Sequence, residues 1–421
     1  MKGRHNSVLS RIKNVQPEVL DIGCICHLAN LCCVYAVKQL PMPVEELLID
    51  VYFHFNHSAK RKEQYHEFLE FCDVAPLKIL KHASTRWLSL EKCINRFLQQ
   101  WPALLSYFES HEDRERPGRV KRCADYLASV EMKAYFRFLS FILEPLNAFN
   151  TIFQTDATQI AILMPEMNRL LRLFMAKFVL MRAIKSATDL TKVSFADRSV
   201  QLDDDILAVG MAMRTMLADS EDDLTDGTRT HISKSVRLFY VAIVEKMVKI
   251  FPFHNTVLKD LAVVNPDPKL CNTWSPTMVR NLATRFSIVA DDEVEHLVEE
   301  FQDYQLSPDD DLPAVTSDSR VDTFWAEMGR KKTFVGAVRF PLLTRVMTTL
   351  SVIAHSNADS ERVFSMVGKI DTDSRSQLGN DSLRALLSCK INTDDPCYAF
   401  VPDKDLCNAA KVATWNYVRE H

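Results

Sequence analysis

The sequence predicts a mainly α-helical protein with a large core. Three observations carry this. Glycine supplies only 9 of 421 residues, which disfavours tight-turned sheet and leaves no glycine-rich phosphate loop. Residues 44–153 place aromatics at helical spacing: Tyr52, Phe53, Phe55, Tyr65, Phe68, Phe71, Phe97, Trp101, Tyr107, Phe108, Tyr135, Phe136, Phe138 and Phe141. Residues 236–251 are apolar almost all round, as a buried helix is.

The elements follow in order. Residues 6–14 read as a short helix, and residues 20–26 alternate enough to form a strand. Leu28, Leu31, Cys32 and Tyr35 then recur at helical spacing until Pro41 and Pro43 end that helix. Residues 112–122, with Pro117-Gly118, form a charged linker, and residues 160–185 a strong helix. Residues 203–226 are an acidic loop around one short helix at 206–217. Residues 265–276 are loop, 291–301 an acidic amphipathic helix and 306–322 a second acidic loop; 324–391 close the pattern as helices.

Composition narrows the function. The chain is long enough for two or three domains, and 47% hydrophobic with 25% charged residues marks it as globular. A net charge of −4 offers no global attraction to nucleic acid, so any such binding needs a local basic patch. The 11 cysteines are odd in number and scattered behind a polar N-terminal segment, which reads as free thiols in a reducing compartment. The longest apolar candidate, residues 170–184, contains Arg172, Lys177 and Arg182 and is no membrane span. Neither a membrane nor a small-molecule substrate is expected.

Three motifs stand out. Cys24-Ile25-Cys26-His27 would need a second ligand pair, for which His54 and His57 are available, to bind zinc. On spacing alone it reads as thiols at a strand end with a helix-capping histidine. Ser84-Thr85-Arg86-Trp87 is either a helix N-terminus with a core tryptophan, or an arginine for phosphate beside an aromatic for a base. The third runs Arg339-Phe340-Pro341-Leu342-Leu343 and then Ser356-Asn357-Ala358-Asp359-Ser360-Glu361-Arg362-Val363-Phe364-Ser365. Its apolar set, Phe340, Leu342, Leu343, Val346, Leu350, Val363 and Phe364, exceeds what one short helix needs for its own packing. A partner helix is the simplest use for it, with intrachain core as the alternative. Glu361 reads as half of a salt bridge with Arg362 or a nearby basic residue, or as a carboxylate complementing a helix dipole.

This third run resembles the C-terminal dimerisation segment of hAT-superfamily transposases: a Phe-Pro-Leu entry, an apolar helix, then Glu-Arg before Phe-Ser. Residues 370–391, with Arg375, Leu378, Leu383, Leu386 and Leu387, fit the same family. The resemblance implies roles for the other motifs. Cys24 and His27 would support a former active-site strand and helix without binding metal. Arg86 and Trp87 would stand near DNA at the entry of an all-helical insertion domain. Glu361 matches the third carboxylate of the hAT catalytic triad, in which three carboxylates of an RNase H-like site hold two divalent cations for phosphodiester transfer. The family's two aspartates precede a segment that the first residues here resemble, and this sequence has no match to them or to the family's BED-type zinc finger. Asp21 and Asp50 do not sit where the motif needs them.

The expected fold is therefore mainly α: a truncated RNase H-like remnant interrupted by a large all-helical insertion domain. Residues 1–41 would be the remnant, 42–334 the insertion with its acidic loops, 335–395 the dimerisation region and 396–421 a tail. The expected function is non-catalytic self-association as a homo-oligomer, with weak DNA binding and no cofactor. A divalent cation would enter only in an active longer form. The resemblance implies a nuclear location; otherwise the chain would be cytoplasmic. The alternatives are a fragment of an active DNA transposase, a DNA-binding transcriptional regulator using Arg86, Trp87 and basic surfaces at 116–122 and 169–185, and a pseudogene-like product with no selected role.

Overall fold

A computed structural model describes residues 7–17, 19–82, 89–111, 118–219, 224–267, 274–316, 319–372, 375, 378–393 and 398–420. The chain divides into two units, Met1–Ser356 and Asn357–His421. Among the described residues there is no β-strand. Two isolated antiparallel bridges, Val179 to Gln201 and Lys332 to Val338, are the only ladder-type pairings there.

The first unit opens with α1 (Val8–Val15), whose N-terminus is closed by a reciprocal box between Ser7 and Ser10. Next come α2 (Ile25–Val37), α3 (Val44–Asn56) and α4 (Ala59–Phe71). The long helices α5 (Ser89–His111) and α7 (Val130–Ile152) flank the short α6 (Arg119–Ala128). In α5, Leu90, Ile94, Phe97, Trp101, Leu104 and Phe108 fall on one buried face. Trp101 stacks edge-on against Phe136 of α7, with ring centroids 5.1 Å apart, and its Nε1 donates to the Leu127 carbonyl at 3.1 Å. The aromatic run read from the sequence thus supplies the centre of the core, except that Phe53 and Phe71 are exposed.

Helices α8 (Leu163–Met175), α9 (Met181–Lys185) and α10 (Met211–Asp219) lead to α11 (Asp226–Ile250). This last helix packs on α2 and buries Val236, Phe239, Tyr240, Ile243, Val244 and Met247. Helices α12 (Thr256–Asp260), α13 (Pro276–Arg285), α14 (Val294–Leu306), α15 (Val321–Met328) and α16 (Pro341–Ser351) complete the unit. The second unit contains α17 (Ala358–Ile370), α18 (Asn380–Asn392) and α19 (Lys404–Glu420).

Several expectations need correction. The strand at 20–26 does not form: residues 19–24 are irregular and Ile25 and Cys26 already belong to α2. A lone strand has nowhere to place its ladder hydrogen bonds, whereas Ile25, Ala29, Cys32, Cys33 and Ala36 give a helix a continuous buried stripe. The RNase H-like remnant at 1–41 therefore has no sheet among the described residues. Of the linker at 112–122, residues 119–122 are helical. The helix at 160–185 is interrupted between Met175 and Met181, where Val179 enters its bridge. The helix placed at 206–217 starts only at Met211. Gly210 before it has φ 81°, and a Cβ there would approach the Phe141 side chain to 2.8 Å. A left-handed, crowded glycine cannot continue a right-handed helix.

Candidate dimerisation interface

Helix α16 begins at Pro341, the first-turn position where proline's missing N–H costs nothing. Two of its free N–H groups are capped from a distance. Leu342 N donates to Glu300 Oε1 at 3.3 Å and Leu343 N to Oε2 at 2.7 Å. An anion at a helix N-terminus meets both unpaired donors and the positive end of the dipole. Burial pushes the Glu300 carboxyl above its ordinary range, and the two backbone bonds pull it back.

Behind that cap, Leu343, Val346, Met347 and Leu350 repeat at i, i+3, i+4, i+7 and are buried, with Leu342 beside them. The helix packs on α14 and α15. Phe340, 1% exposed, meets the Tyr304 ring at a near-right angle, 6.4 Å between centroids, and Arg339 lies over the Phe340 ring at 4.8 Å. Five of the seven residues read as a partner surface (Phe340, Leu342, Leu343, Val346 and Leu350) are therefore the chain's own core. The α16 stripe is buried within its own unit and leaves no open apolar face there.

The other two differ. On α17, Val363 is half-buried and Phe364 is 62% exposed. Val363, Met366, Val367 and Ile370 form a half-buried stripe, and α17 packs against α18, where Leu383 and Leu387 are half-buried too. Leu386 and Ile391 stay exposed on α18, as do Leu406, Val412, Trp415, Tyr417 and Val418 on α19. Among the described residues of this unit, Ala358 alone is buried. The described residues of the unit thus form a helical hairpin and a helix but no core of their own. Sequence reading missed the α19 surface, although Val412, Trp415 and Val418 recur every three residues. It also missed Glu300, for which no local signal exists.

Glu361 is exposed in the first turn of α17, and its amide donates to Asn357 O at 2.9 Å. The expected partner Arg362 instead binds Asp359. Cys24 is half-buried just ahead of α2 and His27 is exposed on its first turn. Cys26 is buried and donates to the Asn150 carbonyl at 3.8 Å; contact with the Cys24 thiol, then burial, push its pKa far up. His54 bonds Tyr107 Oη at 3.0 Å inside the core. No group of three or more His, Cys, Asp or Glu among the described residues is placed to hold a metal ion. Arg86 and Trp87 lie outside the described residues. Of the basic surfaces, Arg119 and Arg122 are turned onto buried Asp50, with Nε–Oδ contacts of 3.2 and 3.0 Å, and Arg169 pairs with Glu166 at 2.7 Å. No helix of the described residues is long and apolar enough to cross a membrane.

Residues 317–392 match the hAT family C-terminal dimerisation region. That segment of the chain is similar to the hAT family. The matched hAT segment takes in α15, α16, α17 and α18, and so straddles the division between the two units. Its first half is embedded in the protomer core. Its second half carries the exposed apolar side chains, and α19 follows directly with more of them.

Proposed function

We propose that this chain acts by self-association through residues 357–420, as a non-catalytic protein derived from an RNase H-like hAT transposase. The observation that carries the reading is the coreless C-terminal unit. A segment that buries almost nothing internally, yet displays Phe364, Leu386, Ile391, Val412 and Trp415, gains its stability by covering them. A second copy offers the same side chains about a two-fold axis, which closes the assembly. The matched dimerisation region supports the same conclusion.

In this proposal the chain does no strand transfer and needs no cofactor. Of the three carboxylates the resemblance calls for, this sequence matches Glu361, which stands exposed on a surface helix. Weak, non-specific DNA binding through Arg86 and a nuclear location complete the reading. Light scattering on the full chain at micromolar concentration should give a dimer or larger. A strictly monomeric protein whose C-terminal helices are intact by circular dichroism would overturn the proposal.

A further inference from the structure

Independent of the association reading, a pocket of about 260 Å³ lies between α3, α4 and the extended segment that follows α4. Its walls are apolar: Phe55 and Tyr65 face each other with ring centroids 4.8 Å apart, and Leu69 and Ile79 flank them. Lys62 and Lys78 line it as cations and no described lining residue is acidic; His66, also in the lining, meets Glu70 Oε1 at 3.2 Å. Both lysines are exposed, and Lys62 Nζ spends one proton on the Asn56 carbonyl at 3.2 Å, which leaves two. The Tyr65 hydroxyl is buried with no hydrogen-bond partner among the described residues.

The wall formed by the extended segment is fixed from behind. Gln100 Nε2 donates to the Leu77 carbonyl and Arg96 donates to the Lys78 carbonyl, each at 2.6 Å. The site is therefore built before any ligand arrives, which removes the ordering cost of binding. An apolar cleft with a few convergent polar groups is the ordinary form of a small-molecule site. Its charge selects the ligand.

We infer that this pocket binds a small organic anion with a flat apolar body, an aromatic carboxylate or its equivalent. The ring would lie against Phe55, Tyr65 and Leu69 while Lys62 and Lys78 hold the anionic group at the mouth. The walls supply affinity by burial and the lysines supply discrimination against neutral or cationic analogues.

The test is a methyl-NMR titration of the full chain, labelled at Ile and Leu methyls, with 2-naphthoate and with 2-naphthalenemethanol, the same ring without charge. Naphthoate should shift the Leu69 and Ile79 methyls saturably. Lys62→Glu combined with Lys78→Glu, both at exposed positions, should weaken naphthoate by at least about tenfold while leaving the neutral alcohol within about twofold. Ile79→Trp, which fills the space, should abolish the binding of both. Absence of saturable shifts with either probe, or a naphthoate affinity unmoved by the double charge reversal, would overturn the inference.

Discussion

Phe340 and Phe364 belong to the same matched segment, yet the structure assigns them opposite roles, and truncating each to alanine separates those roles. Phe340 is 1% exposed and packed by Tyr304 and Arg339. Its removal should cost about 3–5 kcal/mol of protomer stability, the usual toll for a buried phenylalanine. Phe364 is 62% exposed. Full burial of such a side chain is worth about 1.5–3 kcal/mol, so truncation should cost the protomer at most about 1 kcal/mol. If the exposed part is covered by a partner, each protomer loses a further ~1–2 kcal/mol of association energy, and a symmetric dimer about 2–4 kcal/mol. That weakens dimerisation by about 30-fold to 900-fold. Sedimentation velocity over a concentration series reads the second effect, and urea unfolding at fixed concentration the first. The expected result is a destabilised but still associating Phe340→Ala and a stable, dissociated Phe364→Ala. The reverse pattern, with Phe340→Ala dissociating while its unfolding midpoint holds, would show that the α16 stripe is an interface and not core.

Three further outcomes are expected. His54 is 2% exposed, and burial, helped by the positive charges of Arg61 and Arg119, lowers its pKa from 6.5 to about 4. The unfolded chain takes up this proton below pH 6.5 and the folded chain only near 4, so stability should fall across that window by up to roughly 3 kcal/mol. His54→Gln should flatten that part of the urea-midpoint profile, and an unchanged profile would refute the assignment. DNA retention should be weak and fall steeply with salt, and Arg86→Ala should reduce it about equally for all sequences; tight sequence-specific binding that survives high salt contradicts this. Wild type and Glu361→Gln should be equally silent in a strand-cleavage assay with Mg²⁺ or Mn²⁺, whereas cleavage lost only in the variant would mean that other acids complete a two-metal site.

The sequence alone determined the helical class, the aromatic core of α5 and α7, and the C-terminal segment that matches the hAT dimerisation region. These are readable because they rest on local periodicity: one turn of helix repeats its face every three or four residues wherever the chain goes. What periodicity cannot state is what covers a given face. The stripe of α16 and the side chains of α17 to α19 look alike in one dimension. Contacts with α14 and α15 bury the first, whereas the described residues of 357–420 form no comparable layer over the second. The same limit hid Glu300, whose carboxylate caps a helix that starts 41 residues later at Pro341. It also hid the role of Asp50, an ordinary helical acid until α6 brings Arg119 and Arg122 onto it. The strand expected at 20–26 failed for the complementary reason: a strand exists only with a neighbour to accept its hydrogen bonds, whereas a helix satisfies its own backbone. Tertiary structure decided which apolar faces are core, which charges are paired and which segments could be strands, because each of those depends on a partner distant in the chain.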